Sequence, residues 1–217
     1  MIAELSRFAS DVGFFPPEGW AEKVRSYFCL LMKWNATQNL TTHTEEEFLQ
    51  KDIADCLYSA RAISAVFKSR RCLSVLDVGS GAGVPGLILA AMFPQFKFTL
   101  AESRRKRVSF LKTARIEMNL QNVKILAQRI SGKENFAFDL CLSRAALGFA
   151  EFIPLAPVWL KKGGALLLML GGADVEKESE TLALALKNGF SFAAREEYFA
   201  ADTRRTLLLL SYYKGAK

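Results

Sequence analysis

The stretch Val75-Leu76-Asp77-Val78-Gly79-Ser80-Gly81-Ala82-Gly83 decides the fold. Leu73 to Val78 is a short apolar run that ends in glycines, the pattern of a buried strand. Gly79, Gly81 and Gly83 then permit positive φ angles and let a ligand come close to the backbone. A helix is expected from Ala82 to Phe93. Strand, glycine loop and helix in that order put the loop at the C-terminal end of a parallel strand, where α/β sheets bind ligands. The next apolar run, Phe96 to Ala101, reads as a second strand and leads into Glu102, 23 residues after Gly79. An acid at that place accepts hydrogen bonds from ribose hydroxyls.

The spacing of the loop sorts its ligands. A dinucleotide fingerprint G-x-G-x-x-G is met by Gly79 and Gly81, but its third place is Val84. No Gly-Lys-Ser/Thr occurs, which excludes a Walker A loop. Asp77 would repel a pyrophosphate. It suits a ligand with a cationic amino group, such as the methionine part of S-adenosylmethionine. Dinucleotide binding and a tight turn with only a packing role remain as alternatives.

Outward from this centre the chain alternates. Between Trp20 and Trp34 the apolar residues Val24, Tyr27, Phe28, Leu31 and Met32 fall at helical spacing, and the polar stretch from Asn35 to Thr42 breaks the pattern. A second helix is expected from Thr44, where Thr44 and Glu47 have the form of a capping box, towards Phe67. After the glycine loop come a helix from Ser103 to Asn119 and strands Val123 to Ala127 and Asp139 to Ser143. A helix from Phe149 to Leu160, a Lys-Lys-Gly-Gly turn and a strand from Ala165 to Leu170 follow. A helix from Val175 to Lys187 and strands near Phe190–Tyr198 and Thr206–Tyr213 end the series. The pattern predicts an α/β fold. Its seven-stranded, mostly parallel sheet has helices on both faces and an antiparallel hairpin at one edge. Residues 1–71 read as a helical N-terminal subdomain and 72–217 as the α/β domain.

Composition narrows the class. At 217 residues, 51% hydrophobic and 24% charged, the chain is neither disordered nor fibrous. Lys plus Arg is 29 and Asp plus Glu is 22, a net +7. Residues 1–71 hold nine basic and nine acidic side chains, so the excess belongs to the second part. Lys97 to Lys133 alone carries ten basic residues against Glu102 and Glu117, which points to a polyanionic partner. With four cysteines outside any C-x-x-C pair and one histidine, no metal site is expected, and a reducing compartment is. No basic segment leads an apolar run at the start, and the longest apolar runs fall far short of the roughly 18 residues of a membrane helix. A cytoplasmic monomer without a membrane partner is the expectation.

Asp77-Val78-Gly79-Ser80-Gly81-Ala82-Gly83-Val84-Pro85-Gly86 resembles the signature of the RsmG (GidB) family. Those are the methyltransferases that modify N7 of a guanosine in the decoding region of 16S rRNA. Lys33-Trp34-Asn35 with Asn39-Leu40-Thr41 is similar to another family element. So are Phe98-Thr99-Leu100, Glu102-Ser103 and Lys106-Arg107-Val108-Ser109-Phe110-Leu111, and so is Ser143-Arg144-Ala145. The resemblance covers roughly residues 20–172. It implies a Rossmann-like class I methyltransferase fold, S-adenosylmethionine as cofactor, and 16S rRNA or a small-subunit precursor as partner. It also implies that Gly79, Gly81 and Val84 meet the cofactor, that Glu102 holds the ribose, that Ile130 and Ser131 lie by the adenine, and that Arg144 is at the active site. Asp77 and Gly83 join that candidate site from the reading of the loop. The chain departs from the family at Asp52, where a histidine is usual, at Leu170, where a lysine is usual, at Ala146 after the S-R-A element, and at Thr206. These positions belong to the substrate half of the pattern, and several of them are expected to face the RNA or the target base.

Methyl transfer from a sulfonium is an in-line displacement at a near-attack distance of about 3–3.5 Å. Guanine N7 has a free lone pair and no proton, so no general base is needed. That fits a chain with one histidine, His43, read as a loop or helix-start residue, a catalytic role being the alternative. Asn39 is a candidate orienter and Asp55 a candidate carboxylate for the base as it becomes cationic; helix capping and core hydrogen bonding are the alternatives. Arg144 suits guanine O6 or a phosphate, the alternative being an ion pair with Asp139 or another acid. Arg104, Arg105 and Arg107, with Lys112, Arg115 and Arg129, are expected to bind phosphates. A basic helix start opposes the helix dipole and is tolerated if it meets phosphate or Glu102; a solvated face is the alternative. Trp34 is expected to pack near the site. A methyltransferase for another RNA or a small molecule, and a binding module without turnover, are the other functional readings.

Overall fold

The computed structural model describes residues 1–144 and 148–213. Helix α1 (Ile2–Val12) buries Leu5, Ala9 and Val12 and stops at Gly13, left-handed at φ 74°. Helix α2 (Trp20–Gln38) buries Val24, Tyr27, Phe28 and Leu31, as their spacing predicts. It continues four residues into the polar stretch expected to end it and stops at Gln38, with Asn39 left-handed beyond it. Thr44 caps the next helix: its Oγ1 accepts from Glu47 N at 3.2 Å, and Glu47 accepts from Thr44 N at 3.0 Å. This segment has three parts, α3 (Glu45–Glu47), a π-helical stretch (Phe48–Ile53) and α4 (Ala54–Val66).

The α/β part follows as β1 (Ser74–Val78), α5 (Gly86–Met92), β2 (Lys97–Ala101), α6 (Arg105–Glu117), β3 (Val123–Leu126) and β4 (Phe138–Ser143). After these come α7 (Phe149–Trp159), β5 (Leu160–Gly171), α8 (Ala173–Glu176), α9 (Glu178–Lys187), β6 (Phe190–Ala200) and β7 (Thr203–Tyr212). The seven strands lie in the order β3-β2-β1-β4-β5-β7-β6. β1 to β5 run parallel, and β7 is antiparallel to both β5 and β6. This is the expected parallel sheet with a hairpin at one edge.

Three boundaries differ from the sequence reading. Helix α5 starts at Gly86 and not at Ala82, because Gly83 at φ 93° and Pro85, which lacks an N–H, keep the chain out of helix until then. The expected Lys-Lys-Gly-Gly turn is part of β5. Pairing jumps from Phe138–Leu160 to Leu140–Ala165, and Gly163 at φ 73° absorbs the surplus as a bulge. The single helix expected from Val175 to Lys187 is the pair α8 and α9.

Alternation along the strands divides the core into two layers. Leu167, Met169, Leu207 and Leu209 pack with Tyr27, Phe28, Phe48, Phe98 and Phe110 under the N-terminal helices. Leu166, Leu168, Leu208 and Leu210 pack with Phe152, Ile153 and Trp159 of α7 on the other face. Truncating Leu167, 0% exposed, to alanine costs about 2–5 kcal/mol. The expected boundary at residues 71 and 72 falls between α4 and β1, and the first layer continues across it. Leu170 and Thr206 face each other across β5 and β7 and are 1% and 0% exposed. Two of the four departures from the family pattern, among which several were expected to face RNA, are therefore core positions. Ala146 lies outside the described residues.

Candidate active site

The C-terminal ends of β1, β2 and β4 open a cleft of about 510 Å³. Gly79, Gly81, Val84, Glu102, Ile130 and Arg144 line it, as do Arg104, Arg107 and Arg129. Of the remaining expected site residues, Asn39, Asp55, Asp77, Gly83, Ser131, Arg105, Lys112 and Arg115 do not.

The loop is held in place by hydrogen bonds within the protein. The N–H groups of Gly79 and Ser80 both donate to Ala101 O, at 2.9 and 3.1 Å, which ties the loop to the end of β2. Tyr27 Oη, from α2, donates to Ala82 O at 2.7 Å. At Gly83 a φ of 93° and an added Cβ that would lie 2.5 Å from Leu87 Cδ1 both call for glycine. A Cβ on Gly86 would collide with the Asp77 carboxylate.

Glu102 is 5% exposed at the end of β2. Its Oε2 accepts from Gly81 N at 3.0 Å and its Oε1 from Arg104 N at 2.8 Å, with Arg107 Nη1 at 3.8 Å. A carboxylate offers about four acceptor sites, so anchoring by two N–H groups leaves room for ribose hydroxyls. The same contacts resolve the basic helix start, since α6 opens directly onto this acid. Ile130 presents an apolar wall. Ser131 turns away, its N–H held by Glu134 at 2.9 Å.

Asp77 lies under the loop at 1% exposure. Burial pushes its carboxyl up to about 7. It does not line the cleft. Its Oδ2 has no hydrogen-bond partner among the described residues. Asn39 ends α2 in the left-handed region at φ 49°, the capping alternative, while its neighbour Leu40 lines the cleft.

Asp55 is a core acid, as its alternative reading had it. Tyr198 Oη donates to it at 2.7 Å and Arg205 Nη1 at 3.2 Å. Burial lifts its pKa above the ordinary carboxylate value, against the pull of Arg205 and Arg144. Arg144 pairs with Asp52 and lies 3.8 Å from Asp55. Burial works to lower its pKa, and the Asp52 carboxylate outweighs that and lifts it above its usual value. This is the ion-pair alternative, with Asp52 as the acid, while Asp139 is engaged elsewhere by Arg70 and Lys161, each at 2.9 Å. His43 is not a plain loop residue, since its Nδ1 lies 2.6 Å from Asp52 Oδ2. The sequence signal for this network was the pair Asp52 and Asp55, three residues apart. The partners lie too far along the chain to be read from it. Trp34 packs edge-on against Phe110 at 5.6 Å between ring centroids.

Arg104, Arg105, Lys112, Arg115 and Arg129 are exposed and Arg107 is half-buried. Lys112 and Arg115 continue along α6 beyond the cleft, and Arg115 donates to Val123 O at 3.3 Å. Among the described residues no group of three or more His, Cys, Asp or Glu is placed to hold a metal ion, and no helix is long and apolar enough to cross a membrane.

The family profile of rRNA small subunit methyltransferase G, GidB, matches residues 20–197. The chain belongs to that family. GidB membership makes it an S-adenosylmethionine-dependent methyltransferase, and the glycine loop, the acceptor carboxylate of Glu102 and the apolar wall of Ile130 form a lining that fits this cofactor. The chain is 34% identical over 155 residues to the ribosomal RNA small subunit methyltransferase G of Nitrosospira multiformis, covering 70% of this chain and 68% of that one. It is 33% identical over 187 residues to the protein of the same name from Francisella tularensis subsp. holarctica, covering 86% and 84%. In structure it is similar to a Listeria monocytogenes protein assigned to the class I S-adenosylmethionine-dependent methyltransferases. The TM-score is 0.62 at 12% identity, over 90% of this chain and 70% of that one, and it places the GidB chain in that fold class.

Proposed function

We propose that this chain transfers the methyl group of S-adenosylmethionine to N7 of a guanosine in the decoding region of 16S rRNA. The observation that carries the reading is one cleft in which the glycine loop and Glu102 stand beside Arg144, Arg104, Arg107 and Arg129. Gly79 and Gly81 let the cofactor approach the backbone, Glu102 takes the ribose hydroxyls, and Ile130 covers the adenine. The sulfonium supplies an electrophilic methyl group. Arg144 steadies the target through O6 or a neighbouring phosphate, and the arginines of α6 and Arg129 hold the RNA backbone. A lone pair at N7 needs no base to free it, in accord with a cleft whose lining includes one carboxylate, Glu102, already engaged by backbone N–H groups. Transfer of a labelled methyl group to small subunits and naked 16S rRNA from cells lacking the gene, followed by mapping, tests the reading. Label at a single guanine N7 in the decoding region supports it. Label at another nucleotide, or no label, overturns it.

A further inference from the structure

Arg144 is the cation that the sheet itself brings to the cleft, just beyond the end of β4. Its Nη1 pairs with Asp52 Oδ1 and lies 3.8 Å from Asp55 Oδ2. Both carboxylates are buried, at 3% and 0% exposure, one helical turn apart on the π-helical stretch and the start of α4. Asp55 is already engaged by Tyr198 at one oxygen and Arg205 at the other. The orientation of Arg144 therefore depends mainly on Asp52. The second oxygen of Asp52 is held by His43 Nδ1 at 2.6 Å. An ionised carboxylate only accepts, so Nδ1 carries the proton and donates. His43 sits in the segment that continues from Leu40, which lines the cleft.

We propose that His43, acting through Asp52, is a positioning residue for Arg144, fixing the guanidinium at the cleft before the RNA arrives. Arginine has a large rotamer freedom, and a side chain ordered in advance gives up less when its target binds. What the fixed guanidinium does to the target rests on the methylation reading above, whereas the brace itself is a property of the protein alone.

The test uses the full chain with two substitutions at a quarter-exposed position. His43→Leu removes the donor; His43→Asn returns an N–H₂ at the place of Nδ1. In nitrogen-15 spectra of arginine side chains, the Nε–H signal lost in Arg144→Lys is assigned to Arg144. It is expected to move or broaden in His43→Leu and to return in His43→Asn. Methyl transfer to small-subunit RNA is expected to fall about tenfold in kcat/KM for His43→Leu, with most of the loss recovered in His43→Asn. Affinity for S-adenosylmethionine stays unchanged. In an Arg144→Lys background His43→Leu has no further effect. An Arg144 signal indifferent to His43→Leu, or the same loss of activity in both backgrounds, overturns the proposal. A wild-type chain that methylates no small-subunit RNA, yet whose Arg144 signal follows His43, keeps the brace and removes the functional reading.

Discussion

The buried carboxyl of Asp77 makes cofactor binding a titration. Burial holds it up to about 7, with Arg144 opposing and Glu102 reinforcing the rise. Close to neutral pH a large share of the free protein therefore carries a proton there. A ligand with a cationic amino group favours the ionised form. If only that form binds well, the apparent affinity is divided by one plus ten raised to the pKa minus the pH. That factor is about 11 at pH 6 and about 1 at pH 8, so affinity weakens about tenfold between them, or about 1.4 kcal/mol. Calorimetric titration of S-adenosylmethionine across this range, with Asp77→Asn alongside, measures it. The asparagine keeps the shape and removes the titration, and the amino group of the ligand itself titrates equally in both. The wild type is expected to lose about tenfold relative to the variant on going from pH 8 to pH 6. Parallel profiles for the two proteins would falsify the account of Asp77 as a charge beneath the loop.

The same group shapes stability. Its folded value is raised above the ordinary 3.8, so its contribution is present below about pH 4 and is lost as pH rises to about 7, by about 4 kcal/mol at most relative to Asp77→Asn in urea unfolding. Glu102→Ala removes a ribose acceptor and leaves the N–H groups of Gly81 and Arg104 unpaired, so S-adenosylmethionine binding weakens by about 1–3 kcal/mol in calorimetry, and unchanged binding takes Glu102 out of the site. Arg104→Glu and Arg107→Glu each lower the salt slope of RNA binding by about one unit, and an unaltered slope and affinity would sink the phosphate-binding role of α6.

What the sequence disclosed was what is local along the chain. The strand, loop and acid around Gly79 and Glu102 were legible because the turn, the glycines and the strand end are set by neighbours within a few residues. The capping box at Thr44 was legible for the same reason. The hairpin of β6 and β7 followed from two strands without a helix between them. The start of α5 was misplaced because Ala82 and Val84 look helical, while Gly83 and Pro85 decide the backbone. The roles of Asn39 and Asp55 were assigned to the target because an exposed and a buried polar residue look alike in one dimension. Asp55 meets Tyr198 and Arg205, 143 and 150 residues away. Leu170 and Thr206 were placed at the RNA for the same reason, and only the pairing of β5 with β7 shows them sealed in the sheet.

The π-helical stretch from Phe48 to Ile53 sets the phase between two lengths of helix. An α-helix turns about 100° per residue, and a wider turn holds one residue more than the regular spiral has room for. The capped end at Thr44 and the buried face of α4 are therefore out of step by one residue, and within this stretch the His43 ring and the Arg144 guanidinium meet opposite oxygens of Asp52. Chain length here works like a shim. A single residue spliced out ahead of Asp52 is expected to turn Asp52 and α4 by about 100° relative to the capped end at Thr44 while leaving every other side chain chemically intact.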